Sequence, residues 1–205
     1  MDRRELLKMI AMVTGTAVIG GEFFLTGCTS ETKTEAAFSA ADISLLDEVG
    51  ETILPATSSP GAKAAQVGEF MKLCVTDCYR QAEQDVFKKG IVEIDDAAKK
   101  MHGKSFMDCT PEQRTSVLLK LEDESKLQNK ELEEKEKSSR ESAKNNNQED
   151  KFVPAPRHYY TMMKQLTLLG FFTSKAGVTE ALRHVAVPGR YDGALPYKKG
   201  DKAFS

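Results

Sequence analysis

Apolar residues in this chain recur every three to four positions in run after run, and no stretch alternates apolar with polar as a half-buried strand would. That spacing predicts a mostly α fold. Ser39 reads as an N-cap with Asp42 at the third helical position. Ile43, Leu46, Val49 and Ile53 then give one buried face, and Leu54-Pro55 ends the helix because a residue before proline is pushed out of the α region. A long second helix is expected from about Ala64 to Lys89, with Val67, Phe70, Met71, Cys74, Val75, Cys78 and Ala82 on its stripe and Gly90 as its stop. A shorter helix, Asp95 to His102, closes at Gly103. Thr110-Pro111-Glu112-Gln113 starts another, with Val117, Leu118 and Leu121 facing the core. Tyr159, Met162, Met163, Leu166 and Leu169 mark a helix ending at Gly170, and a short one is expected over Val178 to Val185.

Two segments break this pattern. From Glu122 to Lys151 the chain is dense in charge, with Glu122–Lys126, Glu131–Lys135, Glu133–Lys137 and Glu136–Arg140 spaced four apart in the favourable order. Leu127 and Leu132 alone do not sustain a heptad seam, so this reads as a solvated insertion, helical until Asn145-Asn146-Asn147. After Val187 the density of proline and glycine forbids a helix and predicts an extended arm with tight turns. Pro188 and Pro196 stiffen it and Gly189 and Gly193 permit the turns. Arg190, Tyr191 and Tyr197 are of the types that anchor protein interfaces.

The N-terminus reads as a leader. Arg3-Arg4 precedes a short, mildly apolar core that ends in Leu25-Thr26-Gly27-Cys28, a twin-arginine signal followed by a lipobox. The apolar run, Met9 to Phe24, is short of the roughly 20 residues that a spanning helix needs. Cleavage before Cys28 would place a lipid there. Residues 29–37 would then form a flexible tether and residues 38–205 a single domain. The destination is the periplasmic side of the envelope by the Tat route. A formal net charge of −2 argues against a nucleic-acid partner.

Catalytic signals are thin. There is no G-x-G-x-x-G, no G-x-S-x-G and no C-x-x-C-H, and His102, His158 and His184 share no ligand spacing. Cys74 and Cys78, one helical turn apart, are too widely separated to bridge each other easily. In an oxidising compartment Cys109 pairs with Cys78 or Cys74, or all three are small core residues.

The leader, Leu54-Pro55-Ala56-Thr57, the block Thr167-Leu168-Leu169-Gly170-Phe171-Phe172-Thr173-Ser174 and Val187-Pro188-Gly189-Arg190-Tyr191-Asp192-Gly193 together resemble the gluconate 2-dehydrogenase subunit 3 family. The resemblance implies a small, non-catalytic subunit of a membrane-associated dehydrogenase for sugars or sugar acids. FAD would then lie in a separate large subunit, with a cytochrome subunit as a further partner, and no cofactor on this chain. The small subunit's Tat signal would carry the large subunit across the membrane. Its tail, Pro188 to Tyr197, would touch that subunit. The other reading is a free-standing envelope lipoprotein that binds a different partner or a small ligand.

Overall fold

The computed structural model describes residues 38–145, 152–187, 189, 191–196 and 198–204. Its helices are α1 (Ala40–Ile53), α2 (Val67–Cys78), α3 (Gln81–His102), α4 (Pro111–Asn145) and α5 (Tyr159–Thr173). Single 3-10 turns lie at Ala62–Ala65 and Phe106–Asp108, and a π-helical turn at Gly177–Ala181. Among the described residues the only extended pairing is an isolated bridge between Arg183 and Phe204.

The two expected caps are present. Ser39 Oγ accepts from the Asp42 N–H and the Asp42 carboxylate accepts from the Ser39 N–H. Thr110 and Gln113 make the same reciprocal pair at the start of α4. Each exchange satisfies backbone donors that a helix start leaves without partners. Loops are organised by acids reaching forward. Glu51 accepts from the N–H groups of Ala56 and Lys63, and Asp95 accepts from that of Phe106. Arg114 pairs with Glu48 and donates to the carbonyls of Phe106 and Met107, which ties α4 to α1 and to the turn before it.

α5 is the central helix, in contact with α1, α2, α3 and α4. Around it Leu46, Val49, Val67, Met71, Val75, Phe87, Ile94, Phe106, Val117 and Met163 are fully or almost fully buried.

Several expectations are corrected. The long helix expected from Ala64 to Lys89 is broken at Tyr79-Arg80. Gln84 donates to the carbonyls of Thr76 and Tyr79 at the end of α2. Glu83 accepts from the Arg80 N–H and so starts α3. Neither Gly90 nor Gly170 stops a helix. Both are interior, because a neighbouring ring lies against the backbone: a Cβ at Gly90 would overlap Tyr159, and one at Gly170 would sit 2.6 Å from Phe70 Cδ1. These glycines mark close helix crossings, and Gly103, with φ of 69°, is the true C-terminal stop of α3.

The charged segment is corrected in part. α4 does run to Asn145, about 50 Å at 1.5 Å per residue, but its polar half is not bare. Glu122 pairs with Lys164 at 2.9 Å, Asn129 holds Thr161 and His158, and Glu136 holds Ala155 and Arg157. Residues 152–164 therefore run back along α4 as far as Glu122. Residues 146–151 lie outside the described residues. The short helix expected over Val178 to Val185 is only the π-helical turn, which ends at Ala181.

Candidate functional site

α5 is mostly apolar, with Lys164 and Gln165 as its charged and amide positions, and its surroundings do not cover all of its apolar side chains. Tyr159, Tyr160, Met162, Met163, Leu166 and Phe171 are buried, whereas Leu168, Leu169 and Phe172 face outward. Leu169 is 52 % exposed and Phe172 41 %. Beside Gly170 stands Phe70 of α2, which also lines a shallow groove of about 430 Å³ with Leu73, itself 61 % exposed. The groove is lined by residues of the 65–77 stretch alone, so the exposed side chains of α5 and Leu73 of α2 are two separate candidate contact points.

The chain leaves α5 through the π-helical turn into the tail. Of the tail residues singled out by sequence, Pro188, Arg190 and Tyr197 lie outside the described residues, as do Arg3, Arg4 and Cys28. Gly189 has a positive φ of 73° with open space around it. Tyr191 is 97 % exposed, and its hydroxyl lies 3.0 Å from where a Cβ on Gly193 would stand. The ring thus folds over Gly193, the smallest residue available. Pro196 is exposed. Asp192 accepts from the Ala194 N–H at 3.2 Å, a local turn.

A second concavity, of about 610 Å³, lies between the α2–α3 corner, the outer half of α4 and the returning segment. Arg80 pairs with Glu83 at 2.6 Å and donates to the Pro154 carbonyl at 3.0 Å. Arg157 pairs with Glu136 at 3.2 Å and lies 3.5 Å from Glu133. The hydrogen bond from Arg80 holds the Glu83 carboxyl below its usual range. These pairs fasten residues 154–157 to the body, while Arg157 Nη1 is left buried without a hydrogen-bond partner.

His158 stacks on Tyr159 at 4.2 Å and its Nδ1 accepts from the Tyr160 N–H, which makes it the N-cap of α5. Burial lowers its pKa, against the raising influence of Glu93 and Glu124. Burial also pushes the Tyr160 hydroxyl up to about 12, with the Glu122 charge adding to it. Burial raises the Tyr159 hydroxyl too, with the charges of Glu93 and Glu124 adding to it.

Cys74, Cys78 and Cys109 are free thiols in this structure, which, of the two readings open from sequence, contains no pairing of Cys109 with Cys78 or Cys74. Cys78 ends α2, just before the start of α3. Cys109 follows a turn held against Asp95 in the C-terminal half of α3. Residues 81 to 95 alone rise about 20 Å along the axis, whereas a disulfide needs Cα atoms within about 7 Å. Cys109 is buried and Cys78 exposed. Burial raises the Cys74 thiol, with Cys78 and Asp77 adding to it. Among the described residues no group of three His, Cys, Asp or Glu side chains is placed to hold a metal ion. Nor is any helix there long and apolar enough to cross a membrane.

Residues 40–189 match the profile of the gluconate 2-dehydrogenase subunit 3 family. The chain belongs to that family. No curated protein and no solved structure matches it. Membership implies an accessory subunit of a gluconate dehydrogenase complex, and the exposed face of α5 becomes the part of the gluconate 2-dehydrogenase subunit 3 fold to explain. The sequence marks Leu168, Leu169 and Phe172 as apolar but gives no signal of which neighbours cover them, and Leu169 is expected in the core. Arg183 and Phe204 carry no signal either, since their pairing joins residues distant in sequence.

Proposed function

We propose that this chain is the small, non-catalytic subunit of an FAD-dependent dehydrogenase acting on sugars or sugar acids. It escorts the large flavoprotein subunit through the Tat route, stabilises it, and tethers it to the periplasmic side of the membrane through lipid on Cys28. The observation that carries this reading is the family match over residues 40–189. The twin-arginine leader and lipobox support export and anchoring. The uncovered apolar face of α5 and the exposed Tyr191 support a large protein partner.

On this account the partner covers Leu168, Leu169, Phe172 and the tail around Tyr191. FAD resides in the partner, and a cytochrome subunit takes the electrons onward. The double variant Leu169→Asp/Phe172→Asp should weaken capture of the flavoprotein on the order of thirtyfold, the cost of losing hot-spot contacts of about 2 kcal/mol. Truncation after Val187 should release it as well. Undiminished capture by both variants would remove this surface from the interface.

A further inference from the structure

The tail is not free at its far end. The Arg183 N–H donates to the Ala203 carbonyl at 2.8 Å, and Arg183 and Phe204 form a parallel bridge. The Arg183 guanidinium lies over the Phe204 ring, 4.7 Å from its centroid. Lys202 Nζ donates to the Glu180 carbonyl in the π-helical turn. Three contacts of different kinds thus bring residues 202–204 back onto residues 180–183. Two short turns lie between: the Asp192 side chain accepts from the Ala194 N–H, and Asp201 accepts from the Lys198 N–H at 2.9 Å. The family match stops at residue 189, so the returning half of this closure lies beyond it.

Closing a chain segment at both ends lowers the entropy that it loses when it is ordered against another surface. Gly189 and Gly193 make the segment pliable, and a pliable tail with a loose end would surrender that freedom on binding. The closure removes the cost beforehand. Resting on the reading of the chain as a small subunit, we propose that Arg183 and Phe204, aided by Lys202, form a clasp that closes residues 184–202 into a loop and presents Tyr191 pre-formed to the large flavoprotein subunit. Arg183 and Phe204 are positioning residues. They act through the loop and need not touch the partner.

The test uses the full-length chain in mild detergent with an affinity tag inserted in the tether at 29–37, so that the C-terminus stays native. The probe is the flavoprotein that the unaltered chain recovers from its own membranes, recognised by its flavin absorbance. Arg183→Ser, Phe204→Ala and the double variant Arg183→Cys/Phe204→Cys are compared with it. If opening the clasp leaves about a tenth of the loops competent, the apparent Kd rises about tenfold. Oxidising the double cysteine variant should restore the affinity and reducing it should abolish the gain, while the same treatments leave the unaltered chain unchanged. A destabilised fold would not show that redox-dependent rescue. Exchange of the Arg183 amide reports clasp formation directly, and should be slow in the unaltered chain and fast in Phe204→Ala.

Tight capture by the unaltered chain with equal capture by all variants would overturn the clasp and leave the subunit reading intact. No flavoprotein with the unaltered chain would overturn that reading, and the role of the clasp with it. Fast exchange at Arg183 in the unaltered chain would overturn the clasp irrespective of any partner.

Discussion

Replacing Asn129 with alanine separates a helix that merely continues into solvent from one that is part of the body. Asn129 lies eight residues past Leu121, inside the segment that composition marks as an insertion. Its Nδ2 donates to Thr161 Oγ1 at 2.8 Å and its Oδ1 accepts from the His158 N–H at 3.1 Å. Alanine leaves two half-buried groups without these partners, and each lost hydrogen bond costs about 1 kcal/mol. The sum, about 2 kcal/mol, corresponds to a fall in Tm of roughly 4–8 °C for a domain of this size. Glu141→Ala, on the exposed outer end of the same helix, should stay within about 0.5 kcal/mol of the unaltered chain. Thermal unfolding followed by circular dichroism measures both. Equal melting of Asn129→Ala and Glu141→Ala would refute the packing of the returning segment against α4.

Three further outcomes follow from the same geometry. Gly90→Ala drives a methyl group into the Tyr159 ring and should destabilise by about 1–3 kcal/mol, whereas a helix stop at Gly90 would make the change stabilising; chemical denaturation decides the sign. His158 has a pKa below its ordinary value of about 6.5, so the unfolded state binds the proton more readily. Its contribution is therefore complete above that ordinary value and is lost as pH falls through the lower, folded one. The Tm of the unaltered chain should drop more between pH 7.5 and pH 5, round values bracketing about 6.5, than that of His158→Asn, which keeps an N-cap acceptor without the titration. Equal drops would contradict the lowering of the His158 pKa by burial. Thiol alkylation of the native chain, read by peptide mass, should label Cys78 first, Cys74 more slowly and Cys109 only on unfolding; early labelling of Cys109 would contradict its burial.

Local chemistry made much of the fold readable. Ser39 with Asp42 and Thr110 with Gln113 set helix starts within three residues, and Leu54-Pro55 set an end by sterics alone. What failed was non-local. Gly90 and Gly170 look like stops because glycine is a common C-cap, yet each answers to a ring from another helix. The break at Tyr79-Arg80 depends on Gln84 and Glu83 reaching back across it, and carries no proline or glycine to announce it. The charge run after Leu121 has the composition of a solvated face, and only the return of residues 152–164 reveals that Glu122, Asn129 and Glu136 face a partner segment. For the proposed interaction surface, Tyr191 was singled out from its residue type and is exposed, while the exposure of Leu168, Leu169 and Phe172 was not legible because a sequence shows which side chains are apolar but not which neighbours run out.

The central claim is tested most directly by a mild-detergent pull-down of the tagged, full-length chain from its native membranes, read by mass spectrometry and a flavin absorbance spectrum. Stoichiometric recovery of a large flavoprotein with dehydrogenase activity on a sugar or sugar acid is the predicted result. A colourless chain recovered alone would contradict it and move the weight to a free-standing envelope lipoprotein.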